Sequence, residues 1–187
     1  MTEYTIFYDD WLHLPKAEFN VLAMVAVHGG TYAGNLSDMC RYLNVTPQSR
    51  NREPLRTAIE SLTSKGFLTC ETRGRTYHLK VIPKETEVRL SWLWVQSVIQ
   101  HDYSSDKVAF AQVLKLFIWI MQNRLKVVTN AMIAAELGIS ESTVCAAKKV
   151  LLTEYENIAQ KKVSQKWGEG FRSVGQELAA NAWWTEI

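Results

Sequence analysis

The chain has 187 residues, 47% of them apolar and 21% charged, with a formal net charge of +2. That balance is ordinary for a soluble globular protein, and the length suits one domain of usual size or two small ones. No apolar run approaches the ~20 residues of a membrane helix, and Met1-Thr2-Glu3-Tyr4 lacks the basic start of a signal peptide, so a cytoplasmic chain without a membrane partner is expected. Cys40, Cys70 and Cys145 are odd in number and show no CxxC spacing. They argue for a reducing compartment and against a disulfide framework or a zinc knuckle.

The charge is unevenly placed. Residues 1–40 hold one base against five acids, whereas residues 41–84 hold nine bases against three acids. A localised basic stripe is what a phosphate backbone needs, although a solvated charged face has the same composition.

In chain order, Tyr4, Phe7, Tyr8 and Trp11 mark an aromatic arm or short strand that packs on the domain or on a partner. Pro15 suits the first turn of a helix that carries Phe19, Leu22, Val25 and Val27 and stops at Gly29-Gly30. That helix is apolar around much of its circumference, which predicts burial. Asn35 or Ser37 caps the next helix, which ends at Asn44-Val45-Thr46-Pro47. Pro54 is unfavourable inside a helix, so the spacing predicts an extended link over Thr46–Asn51, an N-cap at Asn51 and a helix over Arg52–Lys65. Its buried stripe is Leu55, Ala58, Ile59 and Leu62. Phe67–Thr72 and Arg75–Ile82 then read as a hairpin around Arg73-Gly74.

Pro83–Glu87 reads as a charged connector, and Ser91 caps a helix with Leu93, Trp94, Val98 and Ile99. Tyr103–Asp106 breaks the pattern and caps a long helix from Lys107 to about Arg124. After the stretch Thr129–Leu152, whose second helix runs to about Tyr155, Ile158–Val163 and Phe171–Val174 read as strands around a turn at Gly168-Glu169-Gly170. Gln176–Trp184 reads as a short helix docking Leu178 and Trp183.

Thr129–Leu152 resembles a helix-turn-helix of the DNA-binding superfamily. Ala134 is small enough for a second helix to cross over it, Gly138 stands where the turn needs positive φ, and Val144 seals the corner. Ser140 is a good N-cap for the second helix, with Glu141 in its first turn. An ordinary helical hairpin would use the same residues for packing alone. Cys40 and Asn44 repeat the spacing of Ala134 and Gly138, and Leu55, Ala58 and Leu62 repeat that of Val144, Ala147 and Leu151. Residues 15–82 resemble a winged-helix domain, with a central turn longer than the short form by roughly five residues. The resemblance implies a mostly α chain with small β-hairpin wings, in the α+β class. It divides into a first winged helix with its aromatic arm over 1–84, a connector over 85–105 and a second winged helix over 106–187.

That resemblance implies a recognition helix in the major groove of double-stranded DNA. Candidate contacts in the first copy are Arg50, Arg52 and Arg56 at the head of the helix, and Arg73 and Arg75 at the wing tip. Arg52 and Arg56 lie one turn apart on one face, and arginine grips guanine or phosphate with two hydrogen bonds. In the second copy the candidates are Ser142, Thr143, Lys148 and Lys149, with Lys161, Lys162, Lys166 and Arg172 on its wing. Trp92, Trp94 and Trp119 read as core. Trp11, Trp183 and Trp184, near the termini, are candidates for closing a domain or a homodimer, as is the connector helix. No phosphate-cradling GxxxxGK[ST], GxGxxG or Gly-x-Ser-x-Gly is present, and His13, His28, His78 and His101 lack metal-ligand spacing. The expectation is therefore a chain without enzymatic activity, cofactor or metal, either a transcriptional regulator or a replication initiator of the kind found on plasmids and phages. A winged-helix scaffold for protein contacts, in chromosome segregation or complex assembly, is the rival. It would not need the basic segment.

Overall fold

The computed structural model describes residues 4–123, 126–156, 158–167 and 170–180. The chain falls into two compact units, residues 1–101 and 102–186.

The first unit opens with β1 (Tyr4–Tyr8) and a 3-10 turn (Asp9–His13), followed by α1 (Lys16–Val27), β2 (Thr31–Gly34), α2 (Leu36–Tyr42) and α3 (Ser49–Ser64). Then come β3 (Leu68–Arg73), β4 (Thr76–Val81), β5 (Glu87–Ser91) and α4 (Trp92–Gln100). Helix α1 is the hub: Phe19, Val21, Leu22, Ala23, Met24 and Val25 are fully buried, as its all-round apolar character predicts. Its one charged core residue, Glu18, accepts from Lys65 Nζ at 2.8 and 2.9 Å and from Ser61 Oγ at 2.9 Å, tying α1 to α3. A carboxylate so shielded from water needs partners of this kind.

The aromatic arm belongs to this core. Phe7 and Trp11 are fully buried, and Phe7 lies edge-on to Trp11 at 5.8 Å and stacked on Phe19 at 6.1 Å. β1 pairs antiparallel with β5, Phe7 opposite Val88. The stretch expected as a connector thus supplies a strand and a helix to the first unit, with Val88 and Leu90 alternating inward.

The other sheet has the order β2-β4-β3, with the hairpin closed at Gly74 (φ 63) and Arg73 opposite Thr76. β2 has no counterpart in the sequence reading, since its four residues, Thr-Tyr-Ala-Gly, are too few to show a period. Helix α3 also differs from expectation. It begins at Ser49, with Gln48 as N-cap, and Pro54 lies inside it. Pro54 cannot bond the Arg50 carbonyl, but both residues are exposed there, so water solvates that group. Burial of Leu55, Ala58, Ile59 and Leu62 offsets the lost bond. Asn51 is not the cap, for its amide donates to Thr46 O at 2.8 Å and pins the preceding loop.

In the second unit a 3-10 turn (Tyr103–Ser105) precedes α5 (Phe110–Gln122), β6 (Val127–Val128), α6 (Asn130–Leu137), α7 (Glu141–Thr153), β7 (Ile158–Trp167) and β8 (Gly170–Ala180). Helix α5 starts three residues later than expected: Lys107 sits at φ 53 and breaks the helix, while Gln112 Oε1 accepts from Ala109 N at 3.2 Å. Its expected end at Arg124 lies outside the described residues. Trp119 Nε1 donates to Glu136 at 2.6 Å and fastens α5 to α6.

The sheet order is β6-β8-β7. Gln176–Ala180, expected as a helix, is the end of β8, where Gln176 and Leu178 alternate into the core. The rest of that expected helix, with Trp183, and the turn residues Gly168 and Glu169 lie outside the described residues. At Gly175 a Cβ would come within 2.9 Å of Val128 O, so only glycine lets β6 approach β8. The two units share one order, helix-strand-helix-helix-strand-strand, within an α+β chain. No helix among the described residues is long and apolar enough to cross a membrane.

Candidate nucleic-acid interface

In the first unit the head of α2, the first turns of α3 and the β3–β4 turn enclose a cleft of about 630 Å³. It is lined by Asn35, Ser37, Arg41, Ser49, Arg52, Glu53, Arg56, Gly74, Arg75 and Tyr77, among others. Local chemistry sets each wall. Asn35 caps α2 by accepting from Ser37 N at 2.9 Å and Asp38 N at 3.1 Å, and the Asp38 carboxylate takes the Asn35 amide at 2.6 Å. Asn44, at φ 55, ends α2 with Val45 N bonded to Cys40 O at 2.9 Å, which turns the chain toward α3. The first turn of α3 holds no acid and its N-cap makes no side-chain bond, so the positive end of the helix dipole faces the Ser49 side of the cleft unopposed.

The structure therefore brings Arg52, Arg56 and Arg75 together and adds Arg41. Arg41 pairs with Asp38 at 2.8 Å, Arg56 with Glu53, and Arg73 with Glu71 at 3.1 Å. Exposed pairs of this sort contribute little, so a phosphate competes with them easily. Arg50, Arg52 and Arg75 pair with no carboxylate among the described residues; Arg50 and Arg75 are exposed and Arg52 is half-buried. Burial raises the pKa of the Cys40 thiol, against the opposing pull of Arg52 and Arg41. Arg50 and Arg73 are not among the lining residues, although both flank the cleft in sequence.

The equivalent helices of the second unit differ. Gly138 stands at φ 63, Ile139 N bonds Ala134 O at 3.0 Å, and Ser140 Oγ caps α7 by accepting from Thr143 N at 3.1 Å, all as expected for the turn. Lys148, expected on the exposed face, is buried instead. Its Nζ donates to Gln176 Oε1 at 2.8 Å, Gln160 donates to the same oxygen at 2.6 Å, and Gln176 donates onward to Asn130 at 2.9 Å. Burial lowers the Lys148 pKa. The spacing of Val144, Ala147, Lys148 and Leu151 places this lysine on the buried stripe, a signal the sequence already held.

Ser142 is exposed and Thr143 half-buried, and both hydroxyls bond Ser140 Oγ at 2.8 Å. Lys149 is exposed, as are Lys161, Lys162, Lys166 and Arg172 on the β7–β8 hairpin. Lys161 lies 3.8 Å from Glu177, a long contact. The remaining exposed positions on α7 include Glu141, Ser142 and Cys145, so that face is short of cations.

Sequence reasoning missed Arg41, Ser37, Ser49 and Tyr77 at the cleft, and the Gln176 network. Arg41 stood in the basic segment, one helical turn from Asp38, but only the fold places it opposite Arg52. Trp11 is core, so it forms no interface, and Trp183 and Trp184 lie outside the described residues. Among the described residues no three His, Cys, Asp or Glu side chains gather as a metal site would require. No protein-family model matches the chain, and no curated protein matches it.

Proposed function

We propose that the chain is a double-stranded DNA-binding protein built from two tandem winged-helix modules, with the principal contacts in the first. The carrying observation is the cleft in which Arg41, Arg52, Arg56 and Arg75 converge on the head of α3, with Arg52 and Arg75 unpaired by any carboxylate among the described residues. In this reading α3 is the recognition helix and the β3–β4 hairpin is its wing. Arginines there grip phosphates and read guanine edges, and Ser37 and Ser49 donate to the backbone. The role is that of a cytoplasmic transcriptional regulator or a replication initiator of a mobile element, acting without catalysis. The order of strands and helices in both units supports the winged-helix assignment.

The second unit favours a different emphasis. With Lys148 buried, its α7 face offers little charge, and its cations sit on the β7–β8 hairpin. It contributes backbone contacts through that hairpin or contacts to a second protein, including a second copy.

The test is a titration of duplex DNA at several salt concentrations. With about six phosphates neutralised, log K falls against log salt with a slope near −5. A slope near zero, or no binding to random duplex, defeats the proposal; where the predicted slope is found, selection from a random duplex pool identifies the site.

A further inference from the structure

A second cavity in the first unit lies away from the arginine cleft, between the N-terminal strand and the three-stranded sheet. Its volume is about 310 Å³. Tyr4, Ile6 and Tyr8, alternate residues of β1, form one wall. Ala26 at the end of α1 and Gly29-Gly30 form another, and Thr31, Lys80, Val81 and Pro83 complete the lining. Gly29 and Gly30 stand at φ 74 and 82, and nothing lies within 4 Å of where a Cβ would project from either, so the space beside them is open.

The lining is chemically lopsided. It is mostly apolar, with two phenols and one ammonium, and no carboxylate is part of it. Tyr8 is only 5% exposed and lines the cavity, and its hydroxyl is not one of the buried unpartnered atoms, so it stays open to a ligand there. Burial, and then the charges of Glu87 and Asp10, raise its pKa, which keeps it a neutral donor. Glu87 is already engaged by Arg89 at 3.3 Å, and Arg89 lies over the Tyr4 ring at 5.0 Å. Lys80 pairs with no acid among the described residues. Ligand sites have this composition: an apolar wall with a few polar groups that fix orientation, at the small end of the usual volume range.

We propose that this cavity is a binding site for a small, flat organic anion, an aromatic carboxylate of about a dozen heavy atoms. The ring lies between Ile6, Ala26 and Val81 beside the two glycines. The carboxylate meets Lys80 and accepts from the Tyr8 hydroxyl. The inference does not depend on the nucleic-acid reading, because the cavity shares no residue with the arginine cleft.

The probe is 2-naphthoate, titrated calorimetrically into the full chain without DNA, with neutral 2-naphthamide as comparator. The expected result is one site per chain with a Kd on the order of 100 μM. Lys80→Gln weakens naphthoate about tenfold and leaves the amide unchanged, as loss of one charge-assisted contact predicts. Ile6→Trp fills the cavity and abolishes binding of both. Because that variant adds bulk beside the core, chemical shifts of the Gly29 and Gly30 amides in the unaltered chain give a second reading, and they move on titration. Three results overturn the proposal: no saturable binding, shifts that spare Gly29 and Gly30, or an amide that binds the unaltered chain as tightly as the carboxylate.

Discussion

The helix pairs α2–α3 and α6–α7 are built on one plan and finish with opposite surfaces. Each first helix ends in a left-handed residue, Asn44 in one and Gly138 in the other. Each then closes with the same long backbone bond, from Val45 to Cys40 and from Ile139 to Ala134. After that the units diverge. The first unit directs Arg52 and Arg56 into a solvent cleft, whereas the second turns Lys148 inward onto Gln176. A cation on a helix is therefore not evidence of a ligand until its place on the buried stripe is known. The turn is set by backbone strain and packing, which both units must satisfy. The surface is free to differ, and there the two units have separated.

The largest effect is expected at the buried network of the second unit. Gln176→Leu removes the acceptor shared by Lys148 and Gln160 and strands a buried ammonium. The cost is about 2–4 kcal/mol of second-unit stability, read by denaturant unfolding. Lys148→Met keeps the volume and removes the donor, so it costs far less. If the two variants are equally stable, the network does not hold the unit together.

The matched turns come next. Gly138→Val forces a β-branched residue into the left-handed region and lowers stability by about 1–3 kcal/mol, while Gly138→Asn costs a fraction of that. Asn44→Gly relieves the mirror case and gains up to about 1 kcal/mol. Thermal melts of the three variants beside the original chain check both turns. Valine as stable as asparagine at position 138 would remove the common plan from the comparison.

The smallest effect is in pH dependence. The Lys148 pKa is lowered in the folded chain by burial, so the unfolded chain binds the extra proton between that lowered value and the ordinary 10.5. Stability from this group therefore rises with pH across that window and is flat above it. Unfolding of the original chain against Lys148→Met on the alkaline side shows the rise as a widening difference. A difference that stays constant would mean that the ammonium is not shielded.

Much of this was legible in the residues, and the reasons are local. Gly138, Ser140 and Asn44 announce the turns, because few residues tolerate those φ values or cap a helix. Leu55, Ala58, Ile59 and Leu62 announce α3, although Pro54 hid its first turn: solvent at a helix head forgives a proline that an interior would not. β2 and β5 were not legible, since each is a short strand fixed by partners distant in sequence, Thr31 opposite Lys80 and Val88 opposite Phe7. The arginine cleft was half legible. Arg52, Arg56 and Arg75 are marked by their charge and position in the sequence, whereas Arg41 joins them only through the closing of α2 onto α3. Lys148 carries two opposed signals, a charge that favours solvent and a spacing that favours the core, and the spacing decides its place.

The central claim is that the first unit carries the nucleic-acid contacts and the second does not match it. The most direct test measures duplex DNA affinity by fluorescence anisotropy at fixed low salt for two double variants of the full chain. Arg52→Ala with Arg75→Ala is predicted to weaken binding about tenfold to a hundredfold, at roughly 1–3 kcal/mol. Lys149→Ala with Lys162→Ala, both exposed in the second unit, is predicted to weaken it by no more than about fivefold. Equal losses, or a larger loss from the lysine pair, would contradict the account.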